Sequence, residues 1–324
     1  MNNPDTRASA RKSLWLHIAI IVSLFALEFV LPDYHHLTAT RVMLLAVFAM
    51  GFNVLFGYTG LLSLGHAMFF STGMYAAAMT VYHLGWGVGS AFVFAVAAGA
   101  LFALAVGAVA LRTTGVAFMI VTLMFSQVAY LTTLFFTTWT RGDEGLVLPE
   151  SARTLDLLGL EINLLDPSTR YFLALLLLAV SMLVIYRLVN GPTGRLLIAI
   201  RENEARARML GYNTFAIKLR AVVISGTLSA AAGGAYAILF AYVGSSFAGI
   251  QYSIDPLLYT LVGGAGTVLG PLLGSFLMFY MIDIASNYTT AYLLIAGGIL
   301  IALILYFPRG ILGTVREKWF NWIP

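Results

Sequence analysis

The sequence predicts an all-α protein, a polytopic helical bundle in a membrane with about eight to ten transmembrane helices. Composition is the first observation: of 324 residues, 60% are hydrophobic and 10% are charged, and the mean hydropathy is +0.90. Soluble domains carry about 25% charged residues. The second observation is a series of apolar runs close to the roughly 20 residues that a helix needs to cross a hydrocarbon core of roughly 30 Å.

The chain begins with a basic tail, predicted to be cytoplasmic over residues 1–13, that contains Arg7, Arg11 and Lys12. No small-residue cleavage site comes after the apolar run 14–31, so we interpret this run as a retained first span and not as a signal peptide. The transmembrane domain is predicted over 14–307, followed by a cytoplasmic tail over 308–324. The candidate helices are 14–32, 40–56, 67–84, 88–111, 115–137, 171–189, 216–242, 270–285 and 289–307.

Two glycine-rich segments interrupt these helices: GYTGLLSLGH over 57–66 and GGAGTVLGP over 263–271. We expect 254–262 to be a half-helix that enters from outside, turns at the second segment and returns as 270–285. In lipid, unwound backbone occurs only where it is buried in protein or lines a cavity, and half-helix ends offer NH and CO groups to a zwitterionic solute. Close helix packing is the competing interpretation of the glycines. The candidates for the translocation path are Gly57, Gly60, Ser63, Gly65, His66, Gly263, Gly264, Gly266, Thr267, Gly270 and Pro271.

The distribution of basic residues predicts the orientation. If both termini are cytoplasmic, 14 of the 18 Lys and Arg residues lie on the cytoplasmic side, as the positive-inside rule requires. The four on the external side are Arg41, Arg141, Arg153 and Arg170. The loop 138–170 is then external, carries six acids and is expected to hold some structure of its own.

One polar segment separates the apolar spans, and we interpret it as a cytoplasmic loop over 190–215. Pro192 and Gly194 end the preceding span, and Gly211 is placed to end a short helix. Glu202 with Arg206 and Glu204 with Arg208 are i,i+4 pairs in the favourable order, each worth about 0.2–0.5 kcal/mol. The apolar stripe of this helix contains Leu196, Ile200, Asn203, Ala207 and Leu210.

An amphipathic helix at this position has two interpretations. A basic helix can rest on anionic lipid headgroups, or it can be the docking element for a soluble subunit. Acids are interleaved with the arginines here, which favours docking, because a lipid-binding face would be more uniformly cationic.

Several segments carry a resemblance to a known family. GRLLIAIRENEARARMLGYN from Gly194 resembles the cytoplasmic coupling loop of the permease subunits of branched-chain amino-acid ABC importers. GYTGLLSLGHAMFFSTGMYAAA from Gly57 is similar to another segment of that family. LRTTGVAFMIVTLMFSQ, TRGDEGL, GGAGTVLGPLLGS and FPRGILG also resemble family segments, in the family's order. The extra first span and long external loop are more similar to the longer of the two paired permeases.

The resemblance implies half of a transmembrane pore in the bacterial inner membrane, driven by partner ABC ATPase subunits and supplied by a periplasmic solute-binding protein. It implies a homologous second permease, favours a heterodimer, and implies no cofactor, metal or catalytic residue. The chain has no G-x-x-x-x-G-K-[ST] loop, so we expect it not to hydrolyse ATP itself. The residues implied for ATPase coupling are Gly194, Arg195, Leu196, Ile200, Arg201, Glu202, Asn203, Glu204, Arg206, Ala207, Arg208, Leu210 and Gly211.

Other function classes explain less of the sequence. A stand-alone secondary carrier or channel accounts for the glycine segments but gives the polar helix no role. A membrane enzyme lacks its usual motifs, and nucleic-acid binding is not indicated. Glu28 and Asp283 lie near predicted external ends, where we expect them to snorkel to the interface. The solute stays open among branched-chain, aromatic or other amino acids, amides and urea.

Overall fold

A computed structural model describes residues 4–150, 153–157 and 160–319. Parts of three predicted segments lie outside the described residues. These parts are 1–3 of the N-terminal tail, 151–152 and 158–159 of the external loop, and 320–324 of the C-terminal tail. The helices are α1 (Pro4–Glu28), α2 (Asp33–Asn53), α3 (Ala67–Leu84), α4 (Val88–Ala110), α5 (Val116–Phe135), α6 (Thr137–Thr140), α7 (Pro167–Asn190), α8 (Pro192–Met209), α9 (Thr214–Phe240), α10 (Ile250–Gly263), α11 (Gly270–Tyr288), α12 (Tyr292–Tyr306) and α13 (Gly310–Lys318).

The predicted all-α membrane fold is confirmed. Among the described residues, five helical segments are long and apolar enough to cross a membrane: His35–Tyr58, Val88–Ala110, Val116–Phe135, Pro167–Asn190 and Thr214–Phe240. Most of the observed helices begin and end within a few residues of the predicted bounds. The largest difference is at α1, which begins at Pro4 and so includes most of the predicted tail, and α2 continues as a π-helix over Val54–Tyr58.

The centre of the bundle is formed by α2, α3, α4 and α9, which pack closely through small residues. A Cβ atom added at Gly73 in α3 would lie 2.0 Å from the carbonyl oxygen of Ala230 in α9, and one at Gly233 would lie 1.9 Å from the carbonyl oxygen of Phe70. Helices in lipid associate through such close backbone approach, because lipid tails provide no hydrophobic driving force between them.

The predicted hairpin at the second glycine segment is present as α10 and α11. An added Cβ at Gly263 would lie 1.7 Å from the carbonyl oxygen of Gly270, and one at Gly274 would lie 1.8 Å from that of Tyr259. The residue numbers fall from 263 to 259 along α10 while those of their contacts rise from 270 to 274 along α11, so the two helices are antiparallel. Their turn brings residues 264–269 beside the end of α2.

The loop 138–170 contains the structure expected of it. Strand β1 (Leu146–Val147) pairs antiparallel with β4 (Tyr242–Val243), directly after α9, and the hydroxyl of Ser245 donates to the carboxylate of Asp143 at 2.8 Å. Strands β2 (Thr154–Leu157) and β3 (Leu160–Asn163) form a second antiparallel pair. The loop is therefore fixed to the end of the bundle opposite α8, called here the loop end.

The two acids near span ends differ in environment. Glu28 at the end of α1 is only 7% exposed, so its side chain packs against neighbouring residues, and its position at the membrane interface stays a prediction. Its backbone carbonyl is close to the ring of His36, with 3.0 Å between the oxygen and Nε2. Asp283 in α11 is half-buried.

Candidate functional site

The two glycine segments meet at one place, and the side chain of Asn53 joins them. Asn53 is the last residue of α2 and is 1% exposed. Its amide nitrogen donates to the carbonyl oxygen of Thr267 at 2.8 Å, and its amide oxygen accepts from the backbone NH of Gly266 at 2.9 Å. One buried side-chain amide therefore provides hydrogen-bond partners for two backbone groups of the unwound second segment. Gly266 in that segment lies 213 residues from Asn53 in the sequence.

Glycine is required where the two segments touch. A Cβ at Gly57 would lie 1.9 Å from the amide oxygen of Asn53 and 2.4 Å from the backbone nitrogen of Gly266. Gly266 itself has φ +74°, a left-handed conformation that costs other residues about 1–2 kcal/mol. Both glycines therefore serve the contact between the segments.

Arg201 of α8 reaches this contact from the polar loop. Its guanidinium Nη1 donates a hydrogen bond to the carbonyl oxygen of Gly57, a group in the π-helix at the end of α2. The aliphatic part of Arg201 lies over Gly60, where an added Cβ would be 3.0 Å from its Cγ. The polar helix and the first glycine segment are thus in direct contact.

A cleft of about 600 Å³ opens beside this contact. Arg316 of α13 donates to the carbonyl oxygen of Gly266 at 3.3 Å, and Arg309 forms an ion pair with Glu317 at 2.7 Å. The cleft is lined by Phe56, Arg201, Leu261, Ala265, Thr267, Pro308, Arg309, Gly313, Arg316 and Glu317. The C-terminal segment, predicted only as a tail, therefore contributes a helix to the site.

The polar helix has a break that periodicity did not indicate. Asn203 has φ −160° and ψ 96°, which lie outside the helical region. Its side-chain oxygen accepts from the backbone NH of Arg206 at 2.9 Å, so Asn203 caps a second short helix. The predicted pairing of Glu202 with Arg206 is absent among the described residues, because the break removes the i,i+4 geometry.

The second part of α8 is joined to α9 by a cluster around Glu204. The predicted pair with Arg208 is present at 2.7 Å, and Lys218 of α9, whose side chain is 4% exposed, lies 2.8 Å from the same carboxylate. Thr214 also donates to it at 3.0 Å. Burial alone would raise the pKa of Glu204, but hydrogen bonds from Lys218, Arg208 and Thr214 lower it below its ordinary value.

The apolar face of α8 is divided between the bundle and the solvent. Leu197, Ile200 and Ala207 are at most 5% exposed, and Gly194 is also buried. Ile200 and Ala207, predicted as part of a partner-facing stripe, therefore pack inside this chain, because the helix lies flat against α7 and α9. The large apolar side chains that stay exposed on α8 and at its C-cap are Ile198, Met209 and Leu210, which are 40%, 80% and 71% exposed.

His66 lies within the bundle, between α2 and α9. It is 0% exposed, and its Nε2 is 2.9 Å from the hydroxyl of Ser229 and 3.3 Å from that of Ser225. The rings of Phe48, Phe52 and Phe69 surround the imidazole. The hydroxyl of Ser63 is also buried, and an added Cβ at Gly65 would lie 1.9 Å from the carbonyl oxygen of Thr122.

The remaining predicted residues shape the second turn. The hydroxyl of Thr267 donates to the carbonyl oxygen of Gly264 at 2.8 Å and accepts from the NH of Gly270 at 3.1 Å. Gly264 packs against α13, where an added Cβ would lie 2.7 Å from the nitrogen of Gly313. Pro271 occupies the first turn of α11, where its missing NH carries no cost.

Comparison with known protein families identifies one family for most of the chain. The family model described as "Branched-chain amino acid transport system / permease component" matches residues 36–307. The chain is 28% identical over 337 residues to the high-affinity branched-chain amino acid transport system permease protein LivM of Escherichia coli (strain K12), covering 96% of this chain and 77% of that protein.

Two further relatives are similar to the chain. It is 28% identical over 333 residues to the LivM protein of Salmonella typhimurium, with the same coverage of 96% and 77%. It is 32% identical over 117 residues to the ribose import permease protein RbsC of Haemophilus influenzae, covering 32% of this chain and 35% of that protein. No solved structure matches the chain significantly.

Proposed function

The chain belongs to the branched-chain amino acid transport permease family, and we propose that α8 couples its translocation path to the ATPase subunits of an ABC importer. As a member of that family it is a multi-pass permease of the inner membrane. The solute proposed for it is a branched-chain or closely related amino acid. A solute-binding protein delivers this solute at the loop end, and the second permease is a homologous chain.

The contact between Arg201 and Gly57 carries the proposal. The guanidinium of Arg201, on α8, donates to the carbonyl oxygen of Gly57 in the π-helix that follows α2. Asn53, at the end of α2, connects the same region to the second glycine segment. A displacement of α8 therefore acts on both unwound segments at once. A hydrogen bond to a charged group contributes about 1.5–3 kcal/mol to stability. This energy is enough to favour one arrangement of the first glycine segment over another.

The exposed part of α8 is proposed as the surface that binds the ATPase. Ile198, Met209 and Leu210 present apolar area, while exposed charges such as Glu202 and Arg206 set the register of the partner. The inner face of the helix is packed on the bundle, so a push on the outer face moves a helix that is already attached to the pore. In this proposal α8 and both termini are cytoplasmic, as the charge distribution predicts.

The stand-alone carrier remains as the competing function, and the polar helix distinguishes the two. A carrier needs no partner at α8, whereas an importer subunit cannot transport without one. Uptake of L-leucine into proteoliposomes is therefore measured with the complete importer and with the ATPase omitted. We expect uptake only when the ATPase, ATP and binding protein are all present. Uptake by the permease alone would establish the carrier instead.

A further inference from the structure

A cluster of aromatic and charged side chains lies where α2, α9 and α10 meet, away from the Arg201 contact. The guanidinium carbon of Arg41 is 5.2 Å from the ring centroid of Phe240. The ring of Tyr236 is 4.6 Å from Phe240, and the ring of Phe247 is 5.0 Å from that of Tyr252. Aromatic faces attract cations and also provide apolar area.

Two opposite charges approach this cluster without neutralising each other. Asp255 lies three residues after Tyr252 in α10. This helix packs along α2, the helix of Arg41, where the hydroxyl of Thr260 donates to the carbonyl oxygen of Ala49 at 3.4 Å. Among the residues with described positions, no ion pair joins Arg41 to Asp255, and the Asp255 carboxylate has no hydrogen-bond partner. Asp255 and Tyr252 are half-buried and Arg41 is exposed, so both charges are open to a ligand.

An unpaired carboxylate inside a membrane bundle is costly, and such residues mark solute pathways or pair with a partner. Arg41 and Asp255 together provide one site for a carboxylate and one for an ammonium group. The tyrosine hydroxyls add hydrogen-bonding groups, and the phenylalanine rings offer a surface for an apolar side chain. A ligand that satisfies all of these groups carries both charges and an apolar body.

We propose that Arg41 and Asp255 form a binding site on the solute path for a free zwitterionic amino acid with an apolar side chain. Arg41 binds the α-carboxylate, Asp255 binds the α-ammonium group, and the aromatic cluster holds the side chain. This inference rests on the proposed function, because it places a solute site in the transport path. It is independent of the docking of the ATPase at α8.

Binding of three ligands to the purified importer, without its solute-binding protein, tests the proposal by calorimetry. The ligands are L-leucine, 4-methylpentanoate, which lacks the ammonium group, and 3-methylbutylamine, which lacks the carboxylate. We expect Asp255→Asn to weaken leucine binding roughly 10- to 100-fold and to leave 4-methylpentanoate binding unchanged. Arg41→Gln should weaken leucine equally and leave 3-methylbutylamine unchanged.

Matched controls are available in the same chain. Arg141 also lies over an aromatic ring, 5.5 Å from the centroid of Tyr82, and Asp283 is another half-buried acid. Arg141→Gln and Asp283→Asn should bind leucine as the wild type does. The proposal is overturned if Arg41→Gln or Asp255→Asn has no effect, if it weakens all three ligands alike, or if the wild type binds no leucine. ATP-driven leucine uptake by the same purified importer, after its solute-binding protein is added, would leave the proposed function standing in each case.

Discussion

The guanidinium of Arg201 donates a hydrogen bond to the carbonyl oxygen of Gly57, although the two residues are 144 positions apart in the sequence. Arg201 belongs to the polar helix proposed to bind the ATPase. Gly57 belongs to the π-helix that continues α2 and contacts the second glycine segment. One side chain thus connects the two regions that a coupled importer must move together.

Replacing Arg201 by alanine should uncouple ATP hydrolysis from transport. We expect the importer to assemble and hydrolyse ATP, while leucine uptake falls about tenfold, as loss of about 1.4 kcal/mol of coupling energy predicts. Initial uptake and phosphate release are measured in the same proteoliposomes. Arg112→Ala, an exposed arginine elsewhere in the chain, is the control. An equal loss in both variants would argue against a specific role for Arg201.

Replacing Gly57 by alanine should separate the two glycine segments. The added Cβ would lie 1.9 Å from the amide oxygen of Asn53 and 2.4 Å from the nitrogen of Gly266, so backbone must shift. We expect uptake to be abolished and the thermal unfolding midpoint to fall. Gly87→Ala is the control, because nothing lies within 4 Å of its Cβ position and its φ is −63°. Normal uptake by the Gly57 variant would show that the close contact is dispensable.

Replacing Asn53 by alanine tests the buried amide that joins the segments. Loss of both hydrogen bonds leaves the NH of Gly266 and the carbonyl of Thr267 without this partner, and we expect destabilisation of about 1–3 kcal/mol. Denaturation in detergent measures the effect. Asn190→Ala, which removes only a local bond to the carbonyl of Tyr186, should change stability far less. Similar losses for the two variants would assign Asn53 no special role.

Replacing Glu204 by glutamine removes the carboxylate that faces the buried ammonium of Lys218. We expect destabilisation of about 1–3 kcal/mol, whereas Glu202→Gln, at an exposed position, should stay within about 0.5 kcal/mol. Thermal unfolding at pH 7 measures both. A stable Glu204→Gln variant would mean that Lys218 finds another partner.

The same pair predicts a pH dependence. The pKa of Glu204 is lowered in the folded protein from an ordinary value of 4.5. A lowered carboxyl pKa stabilises the fold fully above the unfolded value, and this contribution disappears as the pH falls through the folded value. The stability difference between wild type and Glu204→Gln should therefore be constant from pH 6 to 8 and shrink below about pH 4.5. A difference that persists unchanged at pH 3 would exclude this electrostatic origin.

Most of the fold follows from apolar run length and local residue preferences. The segment 67–84 is helical with the predicted bounds, because the glycine segment before it and Gly85 after it limit the run. The hairpin at 263–271 follows from the charge distribution and the glycines together. The break at Asn203 had a local signal, since asparagine is a preferred N-cap residue, but the helical periodicity of its neighbours outweighed it.

The site itself depends on contacts that no local pattern contains. Asn53 looks like one polar residue at the end of an apolar run, and only the fold places it beside Thr267. The same holds for Arg41 and Asp255, which lie on helices far apart in sequence. Tertiary packing also gathers several aromatic rings around Tyr252, and no local pattern in the sequence indicates this cluster.

The central claim is that the exposed face of α8 binds the ATPase, and co-purification of the complex tests it most directly. The double variant Met209→Asp with Leu210→Asp changes side chains that are 80% and 71% exposed, so folding should be preserved. Tyr288→Asp, a substitution at a side chain 86% exposed on α11, is the control. We predict that the double variant inserts in the membrane and keeps its second permease, but loses the ATPase from the purified complex. Undiminished recovery of the ATPase with the double variant would contradict the account.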